Sequence, residues 1–273
     1  MIPFSSSGSD SHDSGSSDEW HQSIRPHDIR HWPDGQPLLA LTAYDYSMAR
    51  LLDEAGVEMI LVGDSLGVVM LGHENTTQVT MEDMLRATEA VARGCRRACI
   101  VADLPIASYD TPQAALLHAK KLIQAGAHAV KMEGGRDILP QVEALRAEGI
   151  EVCGHLGMLP QRILTEGGYR KKGKTEAEAE ELFADARTLE ATNVFTIVLE
   201  LVAAPVAEKI TEAIQIPTIG IGSGMKTTGQ IQVIHDVLGM HPWFIPSHAQ
   251  RKLDFPAHLS RAITELRAWM GNS

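Results

Sequence analysis

Five apolar runs follow one another through the middle of the chain, and each one exits on a titratable side chain. Met59–Val62 passes Gly63 and delivers Asp64 and Ser65. Ala98–Ala102 ends on Asp103. Ala129-Val130 leads into Lys131 and Glu133. Val152–Gly154 leads into His155, and Thr196–Leu199 ends on Glu200. Short runs with β-branched members suit strands covered on both faces. A folding core has no use for repeated ionisable exits, because an unpaired charge is costly to bury. A sheet that gathers the carboxyl ends of parallel strands around a catalytic site does have a use for them.

The segments between the runs carry helix signals. Thr80 with Asp83 three residues on, and Thr111 before Pro112, read as N-terminal caps. Gly56, Gly126 and Gly149 read as stops, and Asn193 stands where a glycine would often end a helix. A helix over 23–30 comes first. Strands are expected at Leu38–Thr42, at the five runs, at Thr218–Gly220 and at Trp243–Ile245. Helices are expected over 47–55, 80–93, 111–125, 137–148, 176–191, 205–214, 230–238 and 256–270. Eight strands alternating with eight helices over about 235 residues match a (β/α)8 TIM barrel, whose active site lies at the strands' carboxyl ends. An open doubly wound sheet would also put these exits on one edge. It would less naturally bring consecutive exits around one point. Residues 1–20, mostly Ser, Gly, Asp and His, read as a disordered tail, and 21–273 as a single barrel domain. His12 and His21 belong to that polar composition rather than to a metal site.

Composition narrows the partners. The formal net charge of −11 argues against a nucleic-acid binder and against an anionic membrane surface. No run approaches a membrane span, and the N-terminus lacks the order of a secretory signal. Cys95, Cys99 and Cys153 form no C-x-x-C pair, which fits small core residues in a reducing cytoplasm.

Each exit residue has a chemical and a structural reading. Asp64 and Asp103 on neighbouring strands repel unless a cation lies between them, and Mg²⁺ takes one or two carboxylates with water and substrate oxygens; each could instead cap a helix. Lys131 and Glu133, two apart on a strand, face the same way. They form either an ion pair or an anion-binding ammonium beside a metal shell. His155 could be a general base, a hydrogen-bond donor to substrate or a satisfied core histidine. Glu200, expected across the ring from the metal side, could be a general acid or base or a cap. Gly220-Ile221-Gly222-Ser223-Gly224 could hold a phosphate or form a tight turn.

Seven motifs in order give the chain a family resemblance: Thr42-Ala43-Tyr44-Asp45, Val62-Gly63-Asp64-Ser65-Leu66-Gly67, Ala102-Asp103-Leu104-Pro105, Val130-Lys131-Met132-Glu133-Gly134-Gly135, Gly154-His155-Leu156-Gly157, Gly167-Gly168-Tyr169 and Ile219-Gly220-Ile221-Gly222. From about Leu41 to Pro246 the chain resembles the ketopantoate hydroxymethyltransferases. The resemblance implies a TIM barrel, usually a homodecamer, in pantothenate and coenzyme A biosynthesis. It implies Mg²⁺ on Asp64 and Asp103 with Glu133 beside it, Ser65 and Lys131 on a 2-oxo acid, and Glu200 as the proton-transfer residue. The implied reaction carries a one-carbon unit from 5,10-methylenetetrahydrofolate to 3-methyl-2-oxobutanoate. The chain departs from the family's usual pattern at Thr228, where an Asp is common, and at Ser247, where a Lys is common. These departures bear on folate affinity or assembly. The competing readings are a Mg²⁺-dependent 2-oxo acid lyase or mutase of the isocitrate lyase type, whose cysteine-containing loop is missing here, and a catalytically silent anion-binding barrel.

Overall fold

The computed structural model describes residues 23–241, 243 and 246–271. The tail expected over 1–20, with His12 and His21, lies outside the described residues. Eight parallel strands close into a ring in sequence order: β1 (Leu38–Thr42), β2 (Met59–Val62), β3 (Cys99–Asp103), β4 (Ala129–Glu133), β5 (Val152–Gly157), β6 (Thr196–Glu200), β7 (Thr218–Ile221) and β8 (Gly229–Gln232). β8 returns to pair with β1, Ala40 opposite Ile231. Closure removes the doubly wound alternative.

The helices are α1 (Pro26–Arg30), α2 (Tyr46–Glu54), α3 (Leu66–Val69), α4 (Met81–Gly94), α5 (Pro112–Gln124), α6 (Leu139–Ala147), α7 (Ile163–Glu166), α8 (Glu176–Ala191), α9 (Ala204–Ala213), α10 (Ile234–Leu238) and α11 (Phe255–Gly271). The expected caps form. Thr80 Oγ1 accepts the Asp83 N–H at 3.2 Å while Asp83 Oδ2 accepts the Thr80 N–H at 3.0 Å. Thr111 Oγ1 accepts from the Ala114 N–H at 3.1 Å, with Pro112 at the first helical position. Asn193 adopts the left-handed conformation that ends α8, with φ +68°.

Two apolar layers account for strands buried on both faces. An outer layer packs alternate strand residues against the helices, with Ile60, Ile100, Val130 and Val152 among them. An inner layer fills the barrel with Ala40, Met59, Val101, Ala129, Cys153 and Ile219. Cys99 and Cys153 are buried core residues, as their setting in apolar runs implied. α1 closes the floor, where Ile29 joins Phe195 and Leu38 and Arg30 Nη1 donates to the Val194 carbonyl at 2.9 Å.

The eighth strand is the correction. It was expected at Trp243–Ile245, and a helix was expected over 230–238. The ring closes instead through Gly229–Gln232, the helix shortens to Ile234–Leu238, and Trp243 lies in a turn; Phe244 and Ile245 lie outside the described residues. The real strand was hard to read because only Ile231 is a buried apolar residue along it. Gly229 is there for proximity: a Cβ would stand 2.6 Å from the Leu38 carbonyl.

Candidate active site

Strand register delivers the exits to one place. Asp103 lies opposite Lys131, Glu133 opposite His155, and Glu200 opposite Gly157. Asp64 follows β2 after Gly63, where a Cβ would crowd the Ser65 hydroxyl at 2.9 Å. All of these acids and bases, with Ser65, line a single cavity of about 570 Å³ at the carboxyl end of the barrel.

Their side chains form a connected cluster. Lys131 Nζ lies 2.9 Å from Asp103 Oδ1, 4.0 Å from Glu133 Oε1 and 3.2 Å from His155 Nδ1. Asp103 Oδ2 accepts the backbone N–H of Asp64 at 3.0 Å. His155 Nε2 lies 3.3 Å from Glu200 Oε2. Glu200, on β6 and so across the ring from Asp64 after β2, is linked back through His155 and Lys131 to Asp103. Ser65 Oγ shares a hydrogen bond of 2.8 Å with the Tyr44 hydroxyl. Asp64, Asp103, Lys131, Glu133 and His155 are each at most 4% exposed, so their charges act on one another with little screening.

The protonation pattern follows. Burial first, then Asp103 and Glu133, push the Asp64 carboxyl well above the usual range. Burial also raises Asp103, against the pull of Lys131. Burial works to raise Glu133, but His155 and Lys131 outweigh it and hold it low. Burial opposes charge on Lys131, but Asp103, Glu133 and Asp64 keep it an ammonium. Burial and Lys131 press His155 down, yet Glu133 and Glu200 lift it to about 9. Nδ1 accepts from the Lys131 ammonium at 3.2 Å when the ring is neutral; when the ring is protonated, its Nδ1–H faces Glu133 Oε1 at 3.5 Å and its Nε2–H faces Glu200.

These residues suit a hard divalent cation. Among the described residues no group of three His, Cys, Asp or Glu side chains makes a closed cage, which disfavours a tightly held structural metal. Mg²⁺ asks for less: one or two carboxylates, with substrate and water completing the shell. Asp64 and Asp103, buried carboxylates from β2 and β3, fit that demand. Asp103 and Glu133 crowd the Asp64 carboxyl and help to raise it, a repulsion that a cation on these acids would relieve.

The structure adds residues that sequence reading passed over. Gln161, just after Pro160, is 4% exposed and touches Asp64 and Glu133. Tyr109 holds it, donating to its Oε1 at 2.6 Å. A lone glutamine in an irregular segment carries no pattern that could have announced this. Asp236, His241, His248, Tyr169, Arg170 and Lys171 also line the cavity. The Gly220–Gly224 segment is the end of β7 and the bend that follows it at Gly222 and Ser223: Ser223 Oγ donates to the Leu199 carbonyl at 2.7 Å and accepts the Val202 N–H at 2.9 Å. Its hydroxyl is committed to the fold. Thr228 Oγ1 accepts from the Thr218 N–H, so this departure from the family pattern ties the β7–β8 connection to the start of β7, while Ser247 lines the cavity.

The ketopantoate hydroxymethyltransferase family model matches residues 24–270. The chain belongs to the ketopantoate hydroxymethyltransferase family. A 3-methyl-2-oxobutanoate hydroxymethyltransferase of Ignicoccus hospitalis is 52% identical over 86% of this chain and 89% of its own length. One from Syntrophus aciditrophicus is 47% identical over 85% and 86%. Family membership makes the chain an enzyme, a hydroxymethyltransferase. Among solved structures, phosphonopyruvate hydrolase in complex with oxalate and Mg²⁺ matches with TM-score 0.60 at 14% identity, over 81% of this chain and 85% of that one. Oxaloacetate acetylhydrolase matches with TM-score 0.60 at 15% identity, over 80% and 84%. At such identities these two speak for the barrel alone. No helix among the described residues is long and apolar enough to cross a membrane.

Proposed function

We propose that the chain transfers a hydroxymethyl group from 5,10-methylenetetrahydrofolate to 3-methyl-2-oxobutanoate, giving 2-dehydropantoate and tetrahydrofolate. The observation that carries this reading is the continuous chain Asp103–Lys131–His155–Glu200 along one wall of the cavity, with a second acid, Asp64, beside it. Asp64 and Asp103 would hold Mg²⁺, with Glu133 behind them; bound there, the ion would polarise the keto group of a 2-oxo acid. Lys131 places positive charge where negative charge develops on that oxygen. Ser65, fixed by Tyr44, binds the substrate's oxygen atoms. Glu200 takes the proton from C3, and His155 holds the Glu200 carboxylate in place. Water cleaves both carbon–nitrogen bonds of the methylene bridge, its two hydrogens going to the nitrogens of the departing tetrahydrofolate; the C3 electron pair then bonds to the resulting formaldehyde carbon as its C=O π pair moves to oxygen, which takes the proton held by Glu200 and becomes the hydroxyl of the hydroxymethyl group.

Assembly as a homo-oligomer, a decamer by resemblance, accords with α11. That helix has no buried residue, and Leu259, Ile263 and Leu266 stand 47%, 42% and 56% exposed at helical spacing. A second copy of this chain is the partner we assign to that face, and light scattering on the eluted protein tests it; a monomer would refute it. The three free cysteines accord with a reducing, cytoplasmic setting.

The test of the chemistry is exchange of the C3 proton of 3-methyl-2-oxobutanoate in D₂O, followed by NMR without folate. Exchange is expected with Mg²⁺, not with chelator, and not in Glu200→Gln. Exchange that survives in Glu200→Gln would remove Glu200 from the proton transfer. No exchange and no product after folate is added would overturn the reaction.

A further inference from the structure

Gln161 makes hydrogen bonds through every part of its amide. Its backbone N–H donates to Glu133 Oε2 at 3.0 Å. Its side-chain Nε2 donates to Asp64 Oδ2 at 2.9 Å and to the Leu104 carbonyl at 3.0 Å. Its Oε1 accepts from the Tyr109 hydroxyl. Tyr109 is held in turn, its carbonyl accepting from Gln141 Nε2 at 3.1 Å. The orientation of the amide is forced, because the Leu104 carbonyl can only accept and so must face the NH₂ group.

We infer that Gln161, locked by Tyr109, is a positioning residue that aims the Asp64 and Glu133 carboxylates and so sets how tightly this site holds a divalent cation. The inference rests on the metal reading of Asp64 and Asp103 above. One oxygen of Asp64 is occupied by the amide, which leaves Oδ1 for the cation. One oxygen of Glu133 is occupied by the backbone N–H, which leaves Oε1 turned into the cluster. A single buried residue thus orders acids delivered by β2 and β4, on either side of Asp103 on β3.

The chemistry of the amide matters as much as its place. Asp103 already has an ammonium at 2.9 Å. A second cation on Asp64 would cancel the charge a metal needs. A carboxamide is a strong donor without net charge. It keeps Asp64 fixed and partly compensated for its burial while leaving its negative charge available.

Gln161→Met keeps the length and removes the donors. Tyr109→Phe leaves Gln161 in place and removes the group that fixes its amide, so it guards against a Gln161→Met protein that fails to fold. Full-length proteins are titrated with Mn²⁺ alone, free ion being read by electron paramagnetic resonance, with no substrate present. Outer residues of this kind alter metal affinity by about 10–100-fold; the dissociation constant is expected to rise by that much in Gln161→Met and by several-fold in Tyr109→Phe, with the metal-free thermal midpoints near that of the parent. Folded variants that bind Mn²⁺ within about twofold of the parent would overturn the inference and leave Gln161 a tether for the loop after β5. A parent that binds no Mn²⁺ would remove the metal reading and this inference with it, so the two failures are told apart.

Discussion

Lys131→Met is the substitution that most directly tests whether the acid cluster is held together by charge. Its ammonium lies 2.9 Å from Asp103 and 4.0 Å from Glu133. At an effective dielectric constant of about 20 those two attractions are worth about 6 and 4 kcal/mol. Removing three charged groups from water offsets much of that sum. Deleting one partner of a buried pair, which leaves the other unpaired, costs about 3–5 kcal/mol in net stability. That loss is expected in urea unfolding at pH 7.5 with protein concentration held fixed and no divalent ion. Millimolar Mg²⁺ should restore part of it, because a cation on the same carboxylates replaces the missing charge. A loss below about 1 kcal/mol, the size of a surface pair, would refute the electrostatic account of the cluster. C3 exchange by the variant should fall by at least about 100-fold, the scale of removing one donor from a developing oxyanion.

Elsewhere, His128 Nδ1 accepts the Ile100 N–H at 3.1 Å, and burial lowers its pKa from 6.5 to about 4. The unfolded chain binds that proton more readily, so the stabilisation is present above pH 6.5 and is lost as pH falls toward 4. Discounted for partial exposure, this is about 1 kcal/mol between pH 7.5 and 5; His128→Asn, which keeps an acceptor, should show that much less acid sensitivity in denaturant titrations, and equal sensitivity would contradict it. Gly157 has φ +101°, and a Cβ there would meet the Glu200 carbonyl at 2.2 Å. Gly157→Ala should cost about 2–5 kcal/mol and disturb the His155–Glu200 contact, read as a lower thermal midpoint together with slower C3 exchange. Burial pushes the Cys153 thiol up to about 12 and raises Cys99 further; neither should react with a thiol-disulfide reagent at pH 8 until denaturant is added, and rapid labelling of either in the native protein would show an open floor.

Most of the barrel was legible because parallel strands buried on both faces announce themselves as apolar runs, and because caps such as Thr80–Asp83 are local. β8 was not, since a Gly-Gln-Ile-Gln strand owes its place to pairing with β1 and not to its own side chains. The same division runs through the site. Asp64, Asp103, Lys131, Glu133, His155 and Glu200 are strand exits, and strand exits can be counted along a sequence. Gln161 and Tyr109 come from loops, and their meeting with Asp64 is fixed by tertiary closure. Sequence separates Gln161 from Asp64 by 97 positions, and no periodicity spans that distance.

The seam between β1 and β8 has a consequence for how the protein is made. β1 leaves the ribosome before all seven other strands, and its partner along one edge, Gly229–Gln232, after all of them. Until then the growing sheet carries a bare edge, the kind of surface that pairs with other chains. Ile234, whose N–H is accepted by Thr42 Oγ1 at 3.1 Å, fastens the seam only two residues after β8 ends. A chain truncated before Gly229 should therefore be sticky and dependent on chaperones, and one released from the ribosome with Ile234 in place should be able to close its ring.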